Sequence, residues 1–262
     1  MKSTDTKSPI HLVFIHGAWV SDWGWDGLIP YFADDAYQCH VIQLPDSHSY
    51  ETSLSSQASM ADYIAHVSDV ITDIGEPVYL VAHSGGGLTA TGVAEALHER
   101  VLGIIYVTGM MLPSGMSFGE ICQKVAERGV ETFKLAPYVA ETQFGTQISL
   151  EGVKRIFLQD AEPQVAEAVF NKMLVQPNAS RLVSIDWTQQ KAGRIPKYYI
   201  KAEKDQSVVP EVQDEMIAYG NPKGVASLSC GHFPQVVMPE ALAELIKGLL
   251  LPAPLREVGY WS

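Results

Sequence analysis

Short apolar runs alternate with longer amphipathic stretches along this chain, and that alternation limits the folds open to it. Positions 10–15 (IHLVFI), 38–43 (QCHVIQ), 78–82 (VYLVA) and 101–107 (VLGIIYV) are rich in aliphatic and β-branched residues. Such near-continuous apolarity marks strands buried on both faces, as in a parallel sheet. Between them, 22–32, 57–74 and 88–98 have helical spacing; in the second, Met60, Ile64, Val67, Val70, Ile71 and Ile74 recur on one face. Strand and helix in turn predict βαβ units, an α/β fold with a mostly parallel central sheet and helices on both faces.

After Pro113 the rhythm breaks. Across 113–187 no strand pattern stands out, only amphipathic pieces such as 118–128 and 164–175, so this segment is expected to be a helical lid inserted into the fold. The rhythm returns with 197–201 (KYYIK), a helix over 210–219, a short run at 224–228 and a closing helix over 239–250. The expectation is one domain over 1–262, with core segments 9–112 and 188–251, a lid at about 113–187 and a loosely packed tail from 252. With 262 residues, 47% of them hydrophobic, one sizeable core can be buried.

Charge narrows the partners. Eighteen Lys and Arg against thirty Asp and Glu give a net charge of −12, which disfavours nucleic acid and anionic membrane and leaves a small molecule as the default partner. Cys39, Cys122 and Cys230 are odd in number and lack metal-ligand spacing, so they read as thiols in a reducing compartment. The opening MKSTDTKSP precedes no signal-like apolar run, and nowhere do about 18 apolar residues follow one another. A soluble cytoplasmic protein is expected, with a homodimer left open.

One serine lies at a junction. In 78–92 (VYLVAHSGGGLTATG) the apolar run ends at Ala82 and a helical segment begins just after Ser84. A nucleophile at a strained strand-to-helix turn needs small residues two before and two after it, and Ala82 and Gly86 meet that need. Glycine is usual at the first of these positions. Alone, the pattern fits a structural glycine turn equally well.

An ordinary serine also needs a base, itself oriented by an acid. His232, in 229–233 (SCGHF), falls in the loop before the closing helix, and Asp205 follows the 197–201 run at its carboxyl end. Glu203 competes for the acid role but is nearer the strand end and less free to reach. All three candidates fall at carboxyl ends of strands, where open α/β sheets form their sites. Gly17 would let the backbone turn after the first strand so that the Ala18 N–H points at the site; the Gly85 N–H, at a helix start, would be a second oxyanion donor.

The segments FIHGAWVSDWGWDGLIPYF, LVAHSGGGL, GMMLPSG, IPKYYIKAEKDQSVVPEVQDEM and LSCGHFPQVVMPEALAE resemble the α/β-hydrolase group of plant methylesterases, hydroxynitrile lyases and small bacterial esterases, the bacterial esterases above all. The lid, including RIFLQDAEP, is only loosely similar to theirs. The resemblance implies Ser84, Asp205 and His232 as catalytic residues, Ala18 and Gly85 as oxyanion donors, and no metal or organic cofactor. The group's hydroxynitrile lyases carry threonine at the position of Gly17 and lysine at that of Phe233. Without that ammonium a departing cyanide has no evident stabiliser, so hydrolysis of a carboxylic ester or lactone of a compact, largely apolar molecule is expected. Dehalogenases and epoxide hydrolases of the wider fold use aspartate where this chain has Ser84. The alternatives are a lyase or carbon–carbon bond hydrolase on the same residues, and a receptor that binds without turnover.

Gly17, Trp19, Met110, Met111, Phe133, Trp187 and Phe233 are the expected substrate-binding residues, with plain packing the alternative for Trp19, Phe133 and Trp187. His16 is expected to fix its turn by hydrogen bonding, and His83 to point away from the site with no role in it. Cys230 reads as a small buried filler, and Asp160 and Glu162 as solvated lid charges.

Overall fold

A computed structural model describes residues 8–45, 58–180 and 183–250. Six strands form the central sheet: β1 (Ile10–Ile15), β2 (Tyr37–Val41), β3 (Val78–His83), β4 (Val101–Val107), β8 (Lys197–Ala202) and β9 (Gly224–Leu228). Their order is β2-β1-β3-β4-β8-β9, and every pairing is parallel. The strand runs read from the sequence are all present, with boundary shifts of a residue or two.

Alternation along the strands builds two cores. On one face Val13, Ile15, Leu80, Ala82, Ile104, Tyr106 and Tyr199 join α1 (Met60–Ile74), α2 (Gly86–Ala96), α3 (Phe118–Ala126) and α6 (Pro210–Gly220). On the other, Leu12, Phe14, Val81, Ile105, Val107 and Ile200 meet Trp25, Phe32 and the closing helix α8 (Pro239–Leu250). Helix α1 starts where Ser59 and Asp62 cap one another and stops at Gly75, whose φ of 76° suits glycine. The expected helix over 22–32 is instead two 3₁₀ turns, Asp22–Trp25 and Ile29–Phe32, separated at 26–28, with Pro30 in the first positions of the second. The tail from 252 and His48 lie outside the described residues.

The inserted segment corrects the sequence reading. Besides α3, α4 (Leu150–Gly152) with the π turn Val153–Phe157, and α5 (Pro163–Phe170), it holds a three-stranded antiparallel sheet: β5 (Val139–Glu141), β6 (Gly145–Ile148) and β7 (Gln176–Pro177). These strands span two to four residues, too few for alternation to be legible. Between β9 and α8 lies a short helix, α7 (Pro234–Val237).

The connections leave β1 toward β2 on one side and continue through β3 and β4 on the other. The strand order therefore reverses between β1 and β3, and the crevice outside their carboxyl ends is where open α/β sheets bind ligands. His16, Gly17 and Ala18 leave one of these strands, and Ser84 leaves the other.

Candidate active site

Ser84 follows β3 with φ of 51°, a conformation unusual for a residue with a side chain. The turn is held from both sides: the Ser84 N–H donates to Val107 O at 3.2 Å, and the Ser84 carbonyl accepts from Gly87 at 3.1 Å and Met110 at 2.9 Å. Small neighbours are a packing requirement. A Cβ on Gly86 would lie 2.6 Å from His16 O and 2.7 Å from Ile15 O, and one on Gly17 would lie 2.8 Å from Ser84 Cβ.

The structure brings Ser84, His232 and Asp205 together. His232 Nε2 is 3.0 Å from Ser84 Oγ, and His232 Nδ1 is 2.7 Å from Asp205 Oδ2. All three are buried, Asp205 completely. Asp205 Oδ1 accepts the N–H groups of Ser207 at 2.7 Å and Val208 at 2.9 Å, leaving Oδ2 for the imidazole. Because a carboxylate only accepts, the Nδ1 of neutral His232 carries the proton and Nε2 presents a lone pair to the Ser84 hydroxyl. Glu203 is exposed and outside this chain of bonds.

Ala18 and Gly85 flank the same space: a Cβ on Gly85 would lie 3.9 Å from Ala18 N. Among the described residues neither N–H donates to a protein acceptor. Two unused donors beside a serine hydroxyl can hold a developing negative oxygen. They open onto a small cavity of about 70 Å³ walled by Leu44, Met60, Leu88 and Met110, with Tyr63, Gln176 and Ser180 as polar lining. No lysine or arginine is among the described lining residues.

Of the expected substrate-binding residues, Gly17 and Met110 line this cavity. Met111 does not; its side chain is buried against Gly220 at the end of α6. Trp187 donates its indole N–H to Leu112 O at 3.1 Å and borders a separate surface groove with Tyr219 and Lys223. Phe133 is half-exposed and off the cavity wall. Phe233 is buried between His83 and Phe157, its ring 5.0 and 5.2 Å from theirs, so it braces the histidine loop. Trp19 is buried among residues of the inserted segment, its ring 6.0 Å from that of Phe157.

Contacts made by five further residues around Ser84, His232 and Asp205 escaped the sequence reading. His83 is not a bystander: its Nε2 donates to the His232 carbonyl at 2.7 Å, fixing the loop that carries the imidazole. Asp160 is exposed yet accepts the Gly231 N–H at 2.6 Å, and neighbouring Gln159 donates to Lys204 O at 2.6 Å. The inserted segment thus grips the loops bearing both His232 and Asp205, while Phe157 stacks on His232 at 5.2 Å. Gln213, fully buried in α6, accepts from Ala202 N and donates to Ala202 O and Val208 O, bracketing the Asp205 turn. Cys230 is a buried filler, its thiol pushed up to about 12, chiefly by burial.

His16 fixes its turn as expected: Nδ1 donates to Gly17 O at 2.9 Å and Nε2 accepts the Leu44 N–H at 3.2 Å. Burial holds its pKa down at about 4, against the smaller opposing effect of the Gly17 bond. Burial, then His232, also holds His83 well below the ordinary range. An unfolded histidine titrates near 6.5, so below that pH the unfolded chain binds protons that the folded one refuses. The contribution of these two histidines to stability is complete above about pH 6.5 and is lost as pH drops toward 4, His16 accounting for at most about 3 kcal/mol of that loss. Urea midpoints measured across that window should decline, and His16→Gln should show a shallower slope.

A model of the alpha/beta hydrolase family matches residues 12–245. Methylesterase 17 of Arabidopsis thaliana is 24% identical over 257 residues, covering 92% of this chain and 91% of that protein. The pyrethroid hydrolase of Sphingobium wenxiniae is 25% identical over 241 residues, covering 90% and 85%. The crystal structure of a pyrethroid hydrolase from Sphingobium faniae superposes with a TM-score of 0.77 at 22% identity, over 94% of this chain and 99% of that one. With its parallel sheet, its serine turn after β3 and this match along most of its length, the chain belongs to the alpha/beta hydrolase family.

Proposed function

We propose that the protein is a serine esterase that hydrolyses a carboxylic ester or lactone of a compact, largely apolar molecule through an acyl-enzyme. The observation that carries this reading is the hydrogen-bonded series Asp205–His232–Ser84 ending beside two unused N–H donors. The methylesterase and pyrethroid hydrolase names of its relatives support the same chemistry.

In the proposed mechanism Ser84 Oγ attacks the ester carbonyl carbon as its proton passes to His232 Nε2. Asp205 stabilises the imidazolium, and the Ala18 and Gly85 N–H groups hold the oxyanion. The tetrahedral intermediate collapses, the C–O bond breaks, and the departing alkoxide takes the proton from His232. Water then attacks the acyl carbon by the same route in reverse, releasing the acid and restoring Ser84. The apolar walls suit a hydrocarbon-rich substrate. The absence of lysine and arginine from the described lining leaves a departing cyanide without a cation, which favours hydrolysis over cyanohydrin cleavage.

A panel of aryl, alkyl and methyl esters and lactones tests this directly. The expected outcome is turnover of at least the activated p-nitrophenyl esters and stoichiometric fluorophosphonate labelling at Ser84. Release of cyanide or a ketone without ester turnover would replace the reading with a lyase or carbon–carbon hydrolase. Stoichiometric binding of an apolar ligand without labelling would replace it with a receptor.

A further inference from the structure

Trp19, the residue after Ala18, has φ of 61°, in the left-handed region that a bulky side chain disfavours. Such a conformation is strained and persists only where its surroundings over-determine it. Here they do. The Trp19 carbonyl accepts from Leu174 N at 3.0 Å, and its indole N–H is held by Thr146 O at 3.0 Å and Thr146 Oγ1 at 3.2 Å. Its backbone N–H donates to Gln176 Oε1 at 3.2 Å. Every polar group of Trp19 is therefore held by the inserted segment.

Gln176 has the contact nearest the donors. The N–H it receives belongs to the peptide joining Ala18 to Trp19, so its grip fixes the direction in which the chain leaves Ala18. Its other end is tied down in turn: Nε2 donates to Ser180 Oγ at 2.8 Å and reaches the Tyr63 hydroxyl at 3.4 Å. This pairing also sets the amide's orientation, because a flipped side chain would point NH₂ at the Trp19 N–H. Gln176 is buried, and it touches the substrate cavity from a strand of the inserted segment distant in sequence from the donor loop.

We propose that Gln176 is a positioning residue that holds the Ala18–Trp19 peptide so that the Ala18 N–H faces the developing oxyanion. This rests on the serine esterase reading above. Its consequence is specific: Gln176 should matter more to the tetrahedral state than to the bound ester, because only the former carries the full negative oxygen.

The test compares wild type with Gln176→Leu, Gln176→Asn and Gln176→Glu. One readout is steady-state hydrolysis of a p-nitrophenyl ester. The other is inhibition by an aryl trifluoromethyl ketone, to whose carbonyl carbon Ser84 Oγ adds while its proton moves to His232, leaving a bound oxyanion. Loss of the acceptor in Gln176→Leu should lower kcat by about 10- to 30-fold, less than deletion of a donor, with KM changed less than about threefold. Ketone affinity should fall by the same factor as kcat. Gln176→Glu keeps an acceptor for the Trp19 N–H but sets a carboxylate beside the developing oxyanion and loses the Nε2 donor, so its kcat and ketone affinity should fall at least as far as those of Gln176→Leu. If Gln176→Leu fails to fold by circular dichroism, Gln176→Asn, which withdraws the amide by one methylene, decides. Unchanged kcat and ketone affinity in a folded Leu or Asn variant, or a loss confined to KM, overturns the proposal while leaving the esterase reading intact. Wild-type protein that neither turns over esters nor binds the ketone overturns both.

Discussion

Ser84→Ala should lower kcat for a p-nitrophenyl ester by about 10⁵–10⁶-fold, judging from serine hydrolases whose nucleophile has been removed. The fold should survive, because alanine retains the Cβ and removes only an oxygen whose side-chain partner is His232 Nε2 at 3.0 Å. His232→Ala should cost about as much. In the proposed mechanism the two act as one unit: without the base the hydroxyl keeps its proton, and without the hydroxyl the base has nothing to activate. The double variant should therefore be no slower than either single, and any residual rate above water should come from the Ala18 and Gly85 donors and from binding. Active-site titration with a fluorophosphonate checks this alongside the kinetics. Ser84→Ala retaining turnover within about tenfold of wild type would remove the nucleophile assignment, since the Ala18 and Gly85 donors alone fall far short of that rate.

Residues whose role depends on local chemistry were legible in the sequence. The runs at 10–15 and 101–107 are strands because a buried parallel strand must be apolar on both faces, and no distant information is needed to see it. Ser84 could be singled out because a tight strand-to-helix turn demands small neighbours, and Gly86 indeed faces backbone oxygens at a distance no Cβ could occupy. His232 and Asp205 followed from chain order and from their places after strands.

What the sequence concealed lies in long-range pairings of polar groups. Gln176 meets Trp19 across 157 positions, His83 meets His232 across 149, and Asp160 meets Gly231 across 71. A glutamine in a two-residue strand or an aspartate on an exposed turn looks the same in sequence whether it faces water or holds a loop. His83 was misjudged for a related reason: its ring lies 4.9 Å from that of His232 and its Nε2 meets the His232 carbonyl, a contact that its place beside Ser84 in sequence does not announce. Likewise Met111 and Trp187 are large and near the end of β4 or of the inserted segment, which suggested a pocket wall; only the packing against Gly220 and the bond to Leu112 assign them elsewhere.

Asp205→Asn should reduce kcat by about 10⁴-fold with little change in fold, and the reason lies in which oxygen does what. Asp205 Oδ1 is anchored by two N–H donors, Ser207 and Val208, while Oδ2 faces His232 Nδ1 at 2.7 Å. An asparagine must keep its single oxygen toward the two N–H groups, since the opposite rotamer sets NH₂ against both. Its amide N–H₂ then points at Nδ1, which can only accept. The proton of neutral His232 moves to Nε2, so the imidazole meets the Ser84 hydroxyl as a donor and cannot serve as its base. KM should hold within a few-fold, because Asp205 is fully buried away from the cavity wall. Glu203→Gln is the control: an exposed carboxylate outside this chain of bonds should leave kcat within about threefold of wild type. A large loss in Glu203→Gln with Asp205→Asn near wild type would reverse the assignment of the acid, and with it the claim that the buried bond from Asp205 sets the tautomer of the base.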